Sequence, residues 1–188
     1  MRNFIAAASV FSVLVLSSVL AAAPAAADPS EVRVYPSRTD DAITEGETTL
    51  AVTPDAAYAA VADYARWTAM FPDIRQAIVT RRDGPDHRVT FVHVAGNRNN
   101  LHFRNQPAAR MIWFEDTGGR ADVWAEIVFA PGNVAGTTRV HSRLYVDVPG
   151  IASLFVSDSK LRGIREKRVR DDLTQLRSYF ATSLTAAR

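Results

Sequence analysis

The stretch "TPDAAYAAVADYARWTAMFPDI", residues 53–74, decides how the rest of the chain is read. Thr53 stands at a helix N-cap, Pro54 at the first helical position, and Asp55 at the positive end of the helix. Tyr58 and Val61, joined by Tyr64 and Ala65, make the apolar stripe of a short helix. A second short turn covers Trp67 to Phe71 and is stopped by Pro72, which cannot continue a helix. Before the stretch, Ile43 to Val52 is rich in Thr and β-branched residues and predicts a strand.

After it the pattern changes to strands. Ile74–Arg82 ends at the turn signal Asp83-Gly84-Pro85-Asp86, and His87–Ala95 ends at the loop 96–100. Leu101–Asn105, Arg110–Asp116, Ala121–Ala130 and Thr138–Val148 follow, separated by Pro107, Gly118-Gly119 and Pro131-Gly132-Asn133. Alternation is clearest in the last two. Val123, Ala125, Ile127 and Phe129 share one face, as do Val140, Ser142, Leu144, Val146 and Val148. Asp122, Glu126, Arg139, His141, Arg143 and Asp147 stand on the other, as in an antiparallel sheet with one wet face. Past Pro149-Gly150 and an apolar patch (Ile151, Leu154, Phe155, Val156), residues 159–184 predict a long amphipathic helix with the stripe Leu161, Ile164, Val169, Leu173, Leu176 and Phe180. The class is α+β: about seven strands in one curved antiparallel sheet wrapped on the C-terminal helix, with two short helices after the first strand. The long helix needs that sheet to bury its stripe.

This order, and the motif centred on Asp63-Tyr64, Arg66-Trp67 and Phe71-Pro72, resembles the START-like superfamily (SRPBCC, polyketide cyclase/lipid transport, Bet v 1-like helix grip). The resemblance covers residues 43–183 and includes the Pro149–Ile151 step before the closing helix. It implies a hydrophobic cavity between the sheet and the last helix, and a hydrophobic small molecule or lipid as partner. Phe71, Phe91, His93, Trp113, Phe129, Leu144, Leu154, Phe155 and Leu161 are the residues expected around that cavity. Large apolar residues on a sheet face also form plain core, and the weak alternation of the middle strands leaves their inward face open.

The ends carry a separate signal. Arg2, the uncharged apolar run Phe4–Ala23 and the small-residue site ending at Ala27 form the three-part pattern of a secretory signal peptide. An uncleaved anchor is the competing reading, against which Pro24 and the Ala/Ser-rich composition argue. Residues 1–27 are therefore expected to be removed, residues 28–41 to form an N-terminal tail, and residues 42–188 the ligand-binding domain of a monomer in the periplasm or outside the cell. The remaining chain is long enough to bury roughly 70% of its unfolded surface without cross-links, which suits a sequence with no Cys. The absence of Cys also excludes thiolate nucleophiles and thiolate metal sites.

No nucleophile elbow, phosphate loop or dinucleotide fingerprint is present, and the four histidines (His87, His93, His102, His141) lack metal-ligand spacing, so no cofactor, metal or catalytic residue is expected. Residues 160–188 carry eight Lys or Arg against three acids, while residues 28–159 carry thirteen against seventeen. Such a balance does not describe a nucleic-acid binder. Lys160, Arg162, Arg165, Lys167 and Arg168 form either a solvated helix face or a patch making transient contact with an anionic membrane surface, with Leu154, Phe155 and Val156 inserted. Two function classes follow: a non-enzymatic carrier or binder, and an enzyme of the cyclase or dehydratase kind with His93 as first suspect. A secreted interaction domain with a filled cavity is a third.

Overall fold

The computed structural model describes residues 31–119, 121–148 and 156–186, with the side chains of the last helix described to residue 182. In chain order the elements are β1 (Arg33–Pro36), β2 (Ile43–Leu50), α1 (Pro54–Ala62), α2 (Trp67–Met70), β3 (Ile74–Asp83), β4 (Asp86–His93), β5 (Arg98–Gln106), β6 (Met111–Asp116), β7 (Asp122–Pro131), β8 (Thr138–Asp147) and α3 (Asp158–Ala186). The strands make one antiparallel sheet in the order β1-β2-β8-β7-β6-β5-β4-β3.

Tight hairpins account for most of that order. The exception is β2, which pairs with the last strand, Ile43 opposite Tyr145 and Leu50 opposite Thr138. That long-range pairing sends α1 and α2 across one end of the sheet before the meander β3–β8 begins. Part of the expected N-terminal tail is corrected here: residues 33–36 form edge strand β1, with Arg33 opposite Glu47, and raise the strand count to eight. Val32 and Val34 supply the reason, since both pack against the core on alternate positions.

α1 starts as its sequence dictates, with Thr53 in extended backbone, Pro54 first, and the Ala57 amide donating to the Thr53 carbonyl at 2.9 Å. The Thr53 side chain makes no cap bond. Asp55 is ion-paired to Arg110, in the β5–β6 turn. The buried face of α1 is Ala57, Ala60 and Val61, continued by Tyr64, whose hydroxyl donates to Asn105 at 2.9 Å inside the core.

α3 lies across β1, β2 and β8. Its buried stripe is Leu161, Arg165, Val169, Leu173, Leu176 and Phe180; Ile164, expected in that stripe, is 48% exposed. Arg165 takes the inward position. It donates to the Asp41 carbonyl at 3.0 Å, the Val146 carbonyl at 3.1 Å and the Thr44 hydroxyl at 3.4 Å, fixing the first turns of α3 to β2 and β8. Among the described residues no helix is long and apolar enough to cross a membrane.

Candidate functional site

Between the inner face of the sheet, α2 and α3 lies a cavity of about 780 Å³. Its floor is the inward side of the two strands with the clearest alternation: Val123, Ala125 and Ile127 of β7, and Ser142, Leu144 and Val146 of β8. Ala125 faces Leu144 and Ser142 faces Ile127 across the ladder. Two small side chains at the centre of an otherwise bulky face leave the space that α3 does not fill. Leu101 and Phe114 extend the floor, and Val169, Leu173 and Leu176 of α3 form the roof.

The end of the cavity is built by the motif of residues 53–74. The Trp67 indole N–H donates to the Val61 carbonyl at 2.7 Å, which holds the ring against Phe91 (stacked, centroids 4.9 Å apart) and Phe71 (5.0 Å). All three rings line the cavity. Asp63 accepts from the Arg66 side chain at 3.1 Å and lies outside the wall, so within the motif Trp67 rather than Asp63 shapes the site.

One lip is polar. His93 Nδ1 is 3.3 Å from Asp73 Oδ2, Arg168 Nη1 is 3.6 Å from the same oxygen, and Arg168 Nε donates to Asp172 Oδ2 at 3.0 Å. All four residues line the cavity. Asp73 follows the Phe71-Pro72 stop, and its carbonyl accepts from the Val94 amide at 2.9 Å, tying it to the end of β4. There the chain turns through Gly96 at φ +90°, a conformation that glycine adopts without strain, and leaves Val94 64% exposed at the mouth beside His93. Further along the wall, Asn99 donates to Asp116 Oδ2 at 3.3 Å. Asp172 keeps 30% of its side chain accessible at this lip. Removal from bulk water pushes its pKa up to about 6, against the opposing pull of Arg168.

Of the residues expected at the cavity, Phe71, Phe91, His93 and Leu144 line it. Trp113 does not: it faces the outer side of the sheet, opposite Glu126 and edge-on to the His102 ring, while Phe114 takes the inward place. A period of two means that one residue's difference changes the face. Phe129 is fully buried against Tyr58 beneath α1, and Leu161 is buried; both lie outside the wall. Leu154 and Phe155 lie outside the described residues.

Lys160, Arg162, Lys167 and Arg168 are exposed, and Arg168 also belongs to the cavity lip. Arg165 is corrected: at 4% exposure, with its donors turned to backbone carbonyls, it is not a surface charge. His102 stands on the outer face between Asp86 (3.0 Å) and Glu115 (3.1 Å), away from His93. Glu126 and Arg143, directly opposite each other on β7 and β8, form a cross-strand ion pair at 3.8 Å.

The wall residues that sequence reasoning missed, Trp67, Asp73, Phe114, Arg168 and Asp172 among them, had partial signals. Trp67 and Asp73 sit in the quoted motif, and Arg168 and Asp172 stand one residue before Val169 and Leu173 of the apolar stripe. Among the described residues no group of three His, Asp or Glu side chains is placed to hold a metal ion.

No family model matches the chain, and no curated protein matches it in sequence. Solved structures do match in fold. The di-domain ARO/CYC BexL from the BE-7585A biosynthetic pathway superposes with a TM-score of 0.62 at 18% identity. That match covers 73% of this chain and 45% of BexL, so the chain spans less than half of that two-domain protein. The Zhui aromatase/cyclase from Streptomyces sp. R1128 gives 0.59 at 14% identity, covering 84% of this chain and 97% of that one. Ara h 8.0201 gives 0.55 at 16% identity over 81% and 99%. The chain has the helix-grip fold of these structures, a curved antiparallel sheet around a long C-terminal helix.

Proposed function

We propose that this protein binds a hydrophobic small molecule or lipid in the cavity between sheet and α3, and carries it without chemical change outside the cytoplasm. The observation that carries the reading is the cavity itself: about 780 Å³, walled mainly by aliphatic and aromatic side chains, inside a core that is otherwise closely packed. Native interiors of this size do not leave such a space unfilled without cause, because each missing contact weakens the fold. The charged wall groups are engaged with one another: Asp73 and Asp172 with Arg168, His93 with Asp73. The pattern of residues 1–27 supports export. Lys160 and Lys167 flank the exposed Ile164 on α3, and Val94 is exposed at the same mouth, a combination suited to transient contact with an anionic membrane.

One observation favours a second reading. The Asp73 carboxylate beside His93 Nδ1 is the arrangement that orients an imidazole as a base, and it opens on the cavity. Two matched folds are described as aromatase/cyclases. A cyclase or dehydratase acting in the same space is that alternative.

Organic extraction of protein purified without detergent, followed by mass spectrometry, tests both. A carrier yields a stoichiometric apolar molecule that is lost in Leu144→Trp, and His93→Ala leaves the loading unchanged. It also moves that molecule between donor and acceptor vesicles unaltered. Chemical conversion of a bound molecule that stops in His93→Ala overturns the carrier in favour of the enzyme.

A further inference from the structure

The apolar wall selects for an apolar tail; the polar lip carries information about the head. Arg168 is the sole Lys or Arg of the described wall, and it is already held on two sides, Nε by Asp172 and Nη1 by Asp73. One guanidinium thus serves two carboxylates, and Asp116 adds a third acid to the same wall. Against these stand Arg168 and His93, whose Nδ1 is turned to Asp73. Negative charge is in surplus at this lip, where Asp73 and Arg168 stay nearly half exposed and Asp172 is shielded more fully against the apolar wall. Burial is the main reason that Asp172 holds its proton up to about pH 6, with the neighbouring Asp73 and Asp171 carboxylates adding to it against the pull of Arg168. A carboxylate or phosphate head would have to pull Arg168 from two aspartates and leave them uncompensated. An ammonium would supply the missing positive charge and further donors to the same carboxylates.

We propose that the cavity takes an apolar molecule bearing a protonated amine, its ammonium seated on the lip formed by Asp73 and Asp172, and discriminates against the acid of the same tail. The inference rests on the cavity being a ligand site. The cavity is the site, and the aspartates decide its head group.

The test is displacement of the neutral fluorophore N-phenyl-1-naphthylamine from the purified chain at neutral pH by octylamine, octan-1-ol and octanoate, each below its micelle concentration. Octylamine should compete at least about tenfold better than octanoate, with octanol between them. Asp73→Asn and Asp172→Asn should each cut the amine-to-acid ratio about threefold or more, with circular dichroism reporting that each variant remains folded. An octanoate affinity equal to or above that of octylamine overturns the proposal, as does a ratio indifferent to both substitutions. If octanol binds in those cases, only the head-group inference fails. If neither fluorophore nor octanol binds, the ligand site fails with it.

Discussion

At Gly46, β2 passes close under α3. A Cβ at this position would lie 2.4 Å from Val169 Cγ1, 2.8 Å from Leu173 Cδ1 and 3.2 Å from the Arg33 carbonyl oxygen. Gly46→Ala should therefore push α3 off the sheet and cost about 1–3 kcal/mol in urea unfolding, the usual penalty of overpacking. A loss under about 0.5 kcal/mol, the scale of an indifferent surface change, would show that α3 is not gripped there. Asp172 gives a pH signature. Its pKa rises from an ordinary 3.8 to about 6 on folding, so between those values the folded chain holds more proton than the unfolded one, and stability falls as pH climbs. The stability of the parent relative to Asp172→Asn should be highest near pH 4 and decline to a plateau above about pH 6, followed by thermal unfolding across that range. A flat difference would mean an ordinary, well-solvated carboxyl. At this scale the sequence was least informative: Trp113 and Phe114 are adjacent aromatic residues, and only the ladder to β7 decides which of them faces the cavity.

Elements were easier to read, for physical reasons that differ along the chain. β7 and β8 alternate strictly because one face is dry and the other wet, and their inward residues form the cavity floor. β1 is short and sits at the edge, and its Val32-x-Val34 signal lies among polar residues and two prolines, so it reads as tail until its pairing with β2 is seen. α3 shows what a stripe conceals. Arg165 occupies a core-facing position that hydrophobicity alone would give to Ile164, because it donates to the carbonyls of Asp41 and Val146 and to the Thr44 hydroxyl, which an aliphatic side chain could not do. Arg165→Met should cost about 2–3 kcal/mol and speed amide exchange in the first two turns of α3 more than in its middle. Unchanged exchange there would deny Arg165 its anchoring role.

At the scale of the whole molecule, the fold was legible because hairpin-linked strands and one long amphipathic helix have few ways to bury each other. The cavity was legible only through resemblance, since empty volume has no sequence pattern; it depends on Ala125 and Ser142 standing small between larger neighbours. The polar lip was hidden for a similar reason. Asp73, His93, Arg168 and Asp172 come from the residue before β3, the end of β4 and two turns of α3, and only the wrapping of sheet on helix brings them together. The central claim is that this space is a ligand site rather than a gap in packing. Fluorescence titration with N-phenyl-1-naphthylamine tests it most directly, in the parent and in Leu144→Trp, with circular dichroism confirming that the variant is folded. Saturable binding at one molecule per chain in the parent, weakened at least about tenfold in the folded variant, is the predicted result. No saturable binding, or equal affinity in the two, would contradict it.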